Sequence, residues 1–237
     1  IKYLPAIIFS TNDIDDSAMK PYLTELNSWE YSLNVWSNYD PFVVRSDKGF
    51  LLLDKEKLQE VKNNSYIKWK NDAKITWIEY SDLECPYCAM LHNSDVEERL
   101  KEKYGDNLNI IFNHFPLDFH KNAMPWAQIL ECVWEQLWSD AFYSLIDKSY
   151  SEENSNKDFL IDEAVKLWSD KEELESCLDD NRYEEKIDSQ MLVWAELFWI
   201  TWTPWSVLIN NETGEYEVLA WAYPYESFET IVDNLLK

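Results

Sequence analysis

Cys85-Pro86-Tyr87-Cys88 is the stretch of this chain best equipped for chemistry. Two cysteines at this spacing can close a disulfide, attack one, or resolve a mixed disulfide. The motif stands where an apolar run, "KITWIEYS" (74–81), hands over to a helix-like segment, "CPYCAMLHNSDVEERLKEKYG" (85–105), closed by Gly105. That placement matters because the thiolate is the nucleophile and an ordinary cysteine has a pKa of about 8.5. Unpaired N–H groups and the macrodipole at a helix start stabilise negative charge. Cys85 is therefore expected to be the exposed, acidified nucleophile, and Cys88, one turn deeper, the resolving thiol. Pro86 lacks an N–H and suits the first helical turn. Zinc is the competing reading of the pair, but a structural zinc site needs a second ligand pair. The sequence has no second CxxC, and His92, His114 and His120 are scattered, which fits structural or solvated roles.

The elements around the motif follow from pattern. "NLNIIFNHF" (107–115) reads as a second strand, so the motif belongs to a strand-helix-strand unit of the kind that builds parallel sheets. Helical segments are expected at 122–137, 139–150, 156–168, 170–180 and 182–198, the last with apolar residues at 183, 187, 191, 195 and 198. Two strands, 206–210 and 215–220, join through a turn with Gly214, and a helix over 224–237 ends the chain. Residues 1–68 read as an N-terminal extension of unknown role, with a helix near Ser17–Leu26, an apolar "FLLLD" and a helix over "KEKLQEVKNN". The main domain is expected over 69–237.

Composition narrows the function classes. The net charge of -24 argues against a nucleic-acid partner, whose phosphates demand a basic face. No run of 18 apolar residues is present, so nothing in the sequence reads as a membrane span. The chain starts at Ile1 with the apolar "IKYLPAIIFS", which reads either as the sequel to a removed targeting or anchoring segment or as a buried strand.

Thr203-Pro204 opens a strand after the helical block. With the CxxC, the closing hairpin and the last helix, it resembles the thioredoxin fold, an α/β architecture. The helical block, about 120–198, resembles the inserted subdomain of DsbA-like thiol-disulfide oxidoreductases. "IEYSDLECPYC", "FNHFPLDFHKNAM", "ECVWEQ" and "AELFWITWTPWSVLI" carry the likeness in order, over roughly 69–237. The resemblance implies a cis peptide bond before Pro204, with Thr203 and Pro204 shaping a substrate groove against the CxxC. It implies that Glu79, six residues before Cys85, is a buried acid of raised pKa that relays protons to and from Cys88. It also implies a structural disulfide between Cys132 and Cys177. Partners would be cysteine-containing proteins and a membrane or soluble redox partner that recycles the disulfide. The setting would be extracytoplasmic: periplasmic, secreted or membrane-anchored. No metal or organic cofactor is implied. Tyr87 offers no cation, so the Pro-Tyr dipeptide leaves open oxidase, reductase or isomerase; a non-enzymatic redox sensor or peptide-binding protein is the reading from another class.

The tryptophans do not fit this map. An average glycine usage of about 7% would give roughly 17 residues, whereas the chain has 3 Gly and 13 Trp. Trp138, Trp168 and Trp199 each follow a helix, where a left-handed residue, usually Gly, is expected. Trp202 and Trp205 flank Thr203-Pro204, Trp221 sits in a turn after a strand, and Trp69 precedes the first strand. Two readings stand: these positions are glycines encoded by UGA and written as tryptophan, or they form an aromatic peptide-binding surface.

Overall fold

The computed structural model describes residues 46–63, 66–151 and 156–237, and within the first 45 residues the backbone of three strands. Two compact units result, Ile1–Arg45 and Ser46–Lys237. In the first, β1 (Ile8–Ser10), β2 (Leu23–Asn27) and β3 (Glu30–Leu33) form an antiparallel sheet in the order β1-β3-β2. The helix expected near Ser17–Leu26 gives way to strand from Leu23 onward, and residues 17–22 lie outside the described residues. Pairing of Leu23 with Leu33 and Glu25 with Tyr31 decides the matter, because a neighbouring strand overrides a local pattern.

The second unit starts earlier than expected. Its sheet includes β4 (Leu51–Leu52) and β5 (Tyr66–Lys68), which form its two edges, with α1 (Lys55–Asn63) between them in sequence. Residues 46–68 thus belong to the main unit rather than to an extension; strands of two and three residues are too short to show a period. The other strands are β6 (Ile75–Ser81), β7 (Leu108–His114), β8 (Trp205–Asn210) and β9 (Glu215–Leu219), and the order is β4-β9-β8-β6-β7-β5. β6 runs parallel to β7 and antiparallel to β8. Every residue of β6 and β7 is buried, which explains why their apolar runs do not alternate.

The single helix expected over 85–105 is two: α2 (Pro86–His92) and α3 (Val96–Tyr104). The break falls at Asn93-Ser94-Asp95, where short polar side chains compete with the helix ladder. Ser94 Oγ donates to the Leu91 carbonyl at 2.6 Å, and Asn93 Nδ2 donates to the Tyr150 carbonyl at 2.8 Å. Among the described residues, four helices sit between β7 and β8: α4 (Ala123–Ser151), bent at Trp138, α5 (Lys157–Lys166), α6 (Lys171–Asp179) and α7 (Glu184–Phe198). After β9, α8 (Tyr225–Leu235) packs on α3.

Two apolar clusters meet the sheet along β6 and β7. Ile129, Leu130, Phe142, Ile146, Leu160 and Leu174 of the insertion meet Phe112 of β7. Trp77 of β6, on the same face of the sheet as Phe112 by register, packs on Phe228 with ring centroids 4.8 Å apart, beside Leu100 and Val232. The Cys132–Cys177 disulfide ties α4 to α6 with Cα atoms 6.1 Å apart, at a sequence separation of 45. Closing a loop of that length removes unfolded-state entropy worth on the order of 3–4 kcal/mol. Replacing both cysteines by serine should therefore lower the unfolding free energy in urea by about 3–4 kcal/mol while leaving the Cys85 titration in place; a loss under about 1 kcal/mol would contradict the stapling role.

Candidate active site

Cys85 is the N-cap of α2, in extended backbone at φ -79°, and Pro86 follows at the first helical position. The Cys85 N–H donates to the Asp82 carbonyl at 3.0 Å and its own carbonyl accepts from Ala89 at 3.1 Å, so the residue is fixed at both ends. Both cysteines are free thiols. The sequence placed Cys85 in the open; the structure leaves it 4% exposed. The reason is the loop before β8, which brings the Thr203 carbonyl to 3.6 Å from Cys85 Sγ. The Thr203–Pro204 peptide bond in that loop is cis. Because β8 runs antiparallel to β6, with Trp205 opposite Tyr80, the loop arrives at the end of β6 where α2 begins.

The two sulfurs sit in unequal environments. Cys85 is acidified to about 6, first by a hydrogen bond from Cys88, against the opposing cost of burial, and further by the Thr203 side chain and the Cys88 and Tyr87 amides. Cys88 is fully buried, and that burial, together with its bond to Cys85, pushes its thiol well above the ordinary value. The buried Thr203 hydroxyl has no partner of standard hydrogen-bond geometry and lies close enough to both sulfurs to favour their thiolates.

Glu79 is 5% exposed, and one of its carboxylate oxygens has no hydrogen-bond partner. Burial raises its pKa, with Ser81 bonding to its side chain. Ser81 also bonds to Cys88. The Tyr150 hydroxyl donates to the Asp82 carbonyl at 3.1 Å and stands 2.9 Å from Ser81 Oγ. Glu79, Ser81 and Cys88 thus form a buried polar file behind the thiols, with Tyr150 at its side.

Asp82 is the residue that pattern reading missed most plainly. Its buried carboxylate accepts the amides of Glu84 at 2.8 Å and Leu117 at 2.9 Å, and His120 Nδ1 lies 2.7 Å away. It holds the loop before Cys85 against the segment after β7. A carboxylate that accepts the amide two residues on forms an Asx turn, and Asp just ahead of the motif was the available signal. Tyr150 offers no such signal, being brought in from the far end of α4. Glu84 faces away from the thiols and binds Asn122, accepting its backbone amide at 2.6 Å. Each histidine meets a different carboxylate: His92 with Asp147, His114 with Glu131, His120 with Asp82. Tyr87 is 43% exposed and its ring lies 4.7 Å from that of Trp221.

A family model described as Thioredoxin matches residues 65–234. The chain belongs to the thioredoxin family. Among solved structures it is similar to DsbA2 of Pseudomonas aeruginosa, at 27% identity and TM-score 0.59, over 72% of this chain and 94% of that one. It is similar in fold to BdbD of Bacillus subtilis, at 20% identity and TM-score 0.63, over 74% of this chain and 95% of that one. Alpha-DsbA1 of Wolbachia pipientis gives 22% identity and TM-score 0.62 over 73% and 90%. Among curated proteins it resembles a Na(+)/H(+) antiporter NhaA of Herminiimonas arsenicoxydans, 27% identical over 127 residues, which is 53% of this chain and 19% of that protein. A second, NhaA 1 of Mycolicibacterium gilvum, is 30% identical over 69 residues, 29% of this chain and 11% of that protein. The chain therefore spans a fifth or less of these curated relatives. The described domain has the fold and the dithiol centre of a DsbA-like thiol-disulfide oxidoreductase of the thioredoxin family.

The inequality of the sulfurs has a pH signature. The folded-state pKa of Cys85 lies below that of an unfolded chain, so its thiolate stabilises the reduced fold above pH 9 and that contribution is lost as pH falls toward about 6. Thiolate absorbance of the reduced protein should titrate with a midpoint near 6, and the stability difference between it and Cys85→Ala should shrink from pH 9 to 6. A midpoint at or above about 8, the ordinary range, would contradict the assignment.

Proposed function

We propose that this chain is a disulfide-donating oxidase of protein substrates outside the cytoplasm, acting through Cys85 and Cys88. The observation that carries the reading is the acidified Cys85 at the start of α2. A thiolate stabilised in the reduced enzyme makes the oxidised enzyme the stronger oxidant. The Cys132–Cys177 disulfide supports an oxidising compartment, since such bonds are rare where thiols are kept reduced. Among the described residues no helix is long and apolar enough to cross a membrane.

The cycle balances without a cofactor. A substrate thiolate attacks Cys85 Sγ of the oxidised pair, the Cys85–Cys88 bond breaks, and Cys88 leaves as a thiolate. Cys88 is buried and disfavours charge, so it takes a proton. Glu79, whose hold on its proton burial strengthens, is the donor, with Ser81 close to both groups. A second substrate thiolate then attacks the substrate sulfur of the mixed disulfide and expels Cys85 as its stabilised thiolate. The substrate has lost two electrons and the enzyme has gained them; a separate membrane or soluble redox partner must remove them. The extended substrate chain would lie along Thr203 and Pro204, whose loop covers Cys85. The second reading, a reductase or isomerase of the same fold, is favoured by Tyr87, which supplies no positive charge to deepen the acidification.

The direction is tested with a reduced, unfolded protein that regains activity on forming its disulfides. The oxidised chain should restore it, and Cys85→Ala should not; restoration that is absent in the wild type but replaced by reduction of an oxidised substrate selects the second reading. Glu79→Gln should slow disulfide transfer at neutral pH by about 10²-fold, the lower range for a lost proton donor, without moving the Cys85 midpoint. A wild-type rate in that variant removes Glu79 from the mechanism.

A further inference from the structure

Positive φ is the backbone conformation that singles out glycine, because a Cβ clashes there; Asn is the side chain that tolerates it best. Among the described residues the positions with positive φ are Gly49, Gly105, Gly214, Asn181, Trp69, Trp138, Trp168 and Trp199. All of the chain's three glycines are in that set, and apart from Asn181 every other member is a tryptophan. Chance does not place an indole there repeatedly.

The local geometry at each site is a glycine geometry. The Trp168 amide donates to the Val165 carbonyl at 3.0 Å and the Ser169 amide to the Ala164 carbonyl at 3.0 Å. That pair of bonds is the Schellman ending of a helix, and Trp168 occupies its left-handed position, normally Gly. The next helix, α6, ends the same way, through Asn181→Leu178 at 3.1 Å and Arg182→Cys177 at 3.3 Å, and there the left-handed residue is the tolerated Asn. Trp199 ends α7 at φ 53°, ψ 38°. Trp138, at φ 66° and ψ -162°, lies in a region occupied almost solely by glycine.

At the helix ends the side chains gain little burial in return, whereas Trp69 packs partly on the core beside Lys101. Trp168 is 89% exposed and Trp138 69%, so neither indole is buried. Around the site Trp202 and Trp221 are also exposed, with rings 6.2 Å apart, and the buried Nε1 of Trp205 has no hydrogen-bond partner. Trp77 is the contrast: it is 2% exposed, packs on Phe228, and its Nε1 donates to Ser206 Oγ at 3.0 Å.

We propose that positions 69, 138, 168 and 199 are glycine in the protein its cells make, specified by UGA codons read as glycine, and that positions 202, 205 and 221 are glycine by the same codon. Trp77 is a true tryptophan on this account. The consequence for the dithiol centre is an open approach. An incoming chain meets the backbone beside Thr203-Pro204 and the Tyr87 ring, without the indoles of Trp202 and Trp221 over it. This identity does not rest on the direction of the redox chemistry and is tested apart from it.

The decisive material is the protein isolated from its source cells. Mass spectrometry of the peptide that trypsin releases after Lys186, running from Ile187 to Lys237, should give the glycine residue mass at 199, 202, 205 and 221. Tryptophan at those positions, encoded by UGG, overturns the proposal. Stability gives an independent readout in the recombinant chain. Trp168→Gly and Trp199→Gly should each raise Tm by about 2–4 °C, Trp168→Ala should raise it less because alanine keeps the Cβ, and Trp77→Gly should lower it. A lower Tm for Trp168→Gly than for the unaltered chain also overturns it.

Discussion

The structure turns on one electrostatic asymmetry: two sulfurs in contact, one held as an anion and the other denied charge. Cys85 sits where α2 begins and receives hydrogen bonds from Cys88 and from the first amides of the helix. Cys88 lies inside, where burial penalises its thiolate. The surrounding fold exists to hold those two positions apart in environment while keeping them in contact. β6 delivers the chain to the helix start, β7 beside it runs parallel, and β8 returns antiparallel so that the Thr203–Pro204 loop closes over Cys85. Asp82 fixes the turn between strand and helix by gathering two amides and His120.

The helical insertion is part of this machine rather than an appendage. α4 reaches from the disulfide at Cys132 to Tyr150, whose hydroxyl stands against Ser81 and Asp82 behind the thiols. Its buried Glu131 would be raised by desolvation, but His114 and Lys186 hold its carboxyl below the usual value. Lys186 of α7 approaches Glu131 at 2.7 Å, so the charge also ties two helices of the insertion. Removing Lys186 would leave the buried Glu131 carboxylate to His114 and the Tyr66 hydroxyl alone, at a cost larger than the pair itself contributes. The insertion is thereby locked to the sheet near the site it supports.

Much of this was legible in the chain. Cys85, Cys88 and Pro86 announce themselves by type, spacing and position at a strand-to-helix boundary. Glu79 and the Thr203-Pro204 loop came through resemblance, as did the Cys132–Cys177 pair, because no spacing rule links residues that distant. Other features were hidden. β4 and β5 are too short to show a period, so the main unit was begun too late. Leu23–Leu26 looked helical, as the end of the Ser17–Leu26 segment, because strand pairing is non-local and invisible in a window. The burial of Cys85 depends on a loop more than a hundred residues away. Tyr150 likewise becomes visible only when α4 is folded back across β6. Conversely, the tryptophans at helix ends were conspicuous in the sequence because caps obey local rules, and the backbone angles at those positions are the ones such rules require.

The direction of the chemistry depends on the poise of the Cys85–Cys88 pair. Equilibration of the isolated protein against a glutathione redox buffer measures it directly. A stabilised Cys85 thiolate predicts an oxidising couple, above about -200 mV and toward the range of strong disulfide donors. A potential near about -270 mV, that of a general reductant, would contradict the proposed direction and show that the asymmetry between the two sulfurs serves reduction instead.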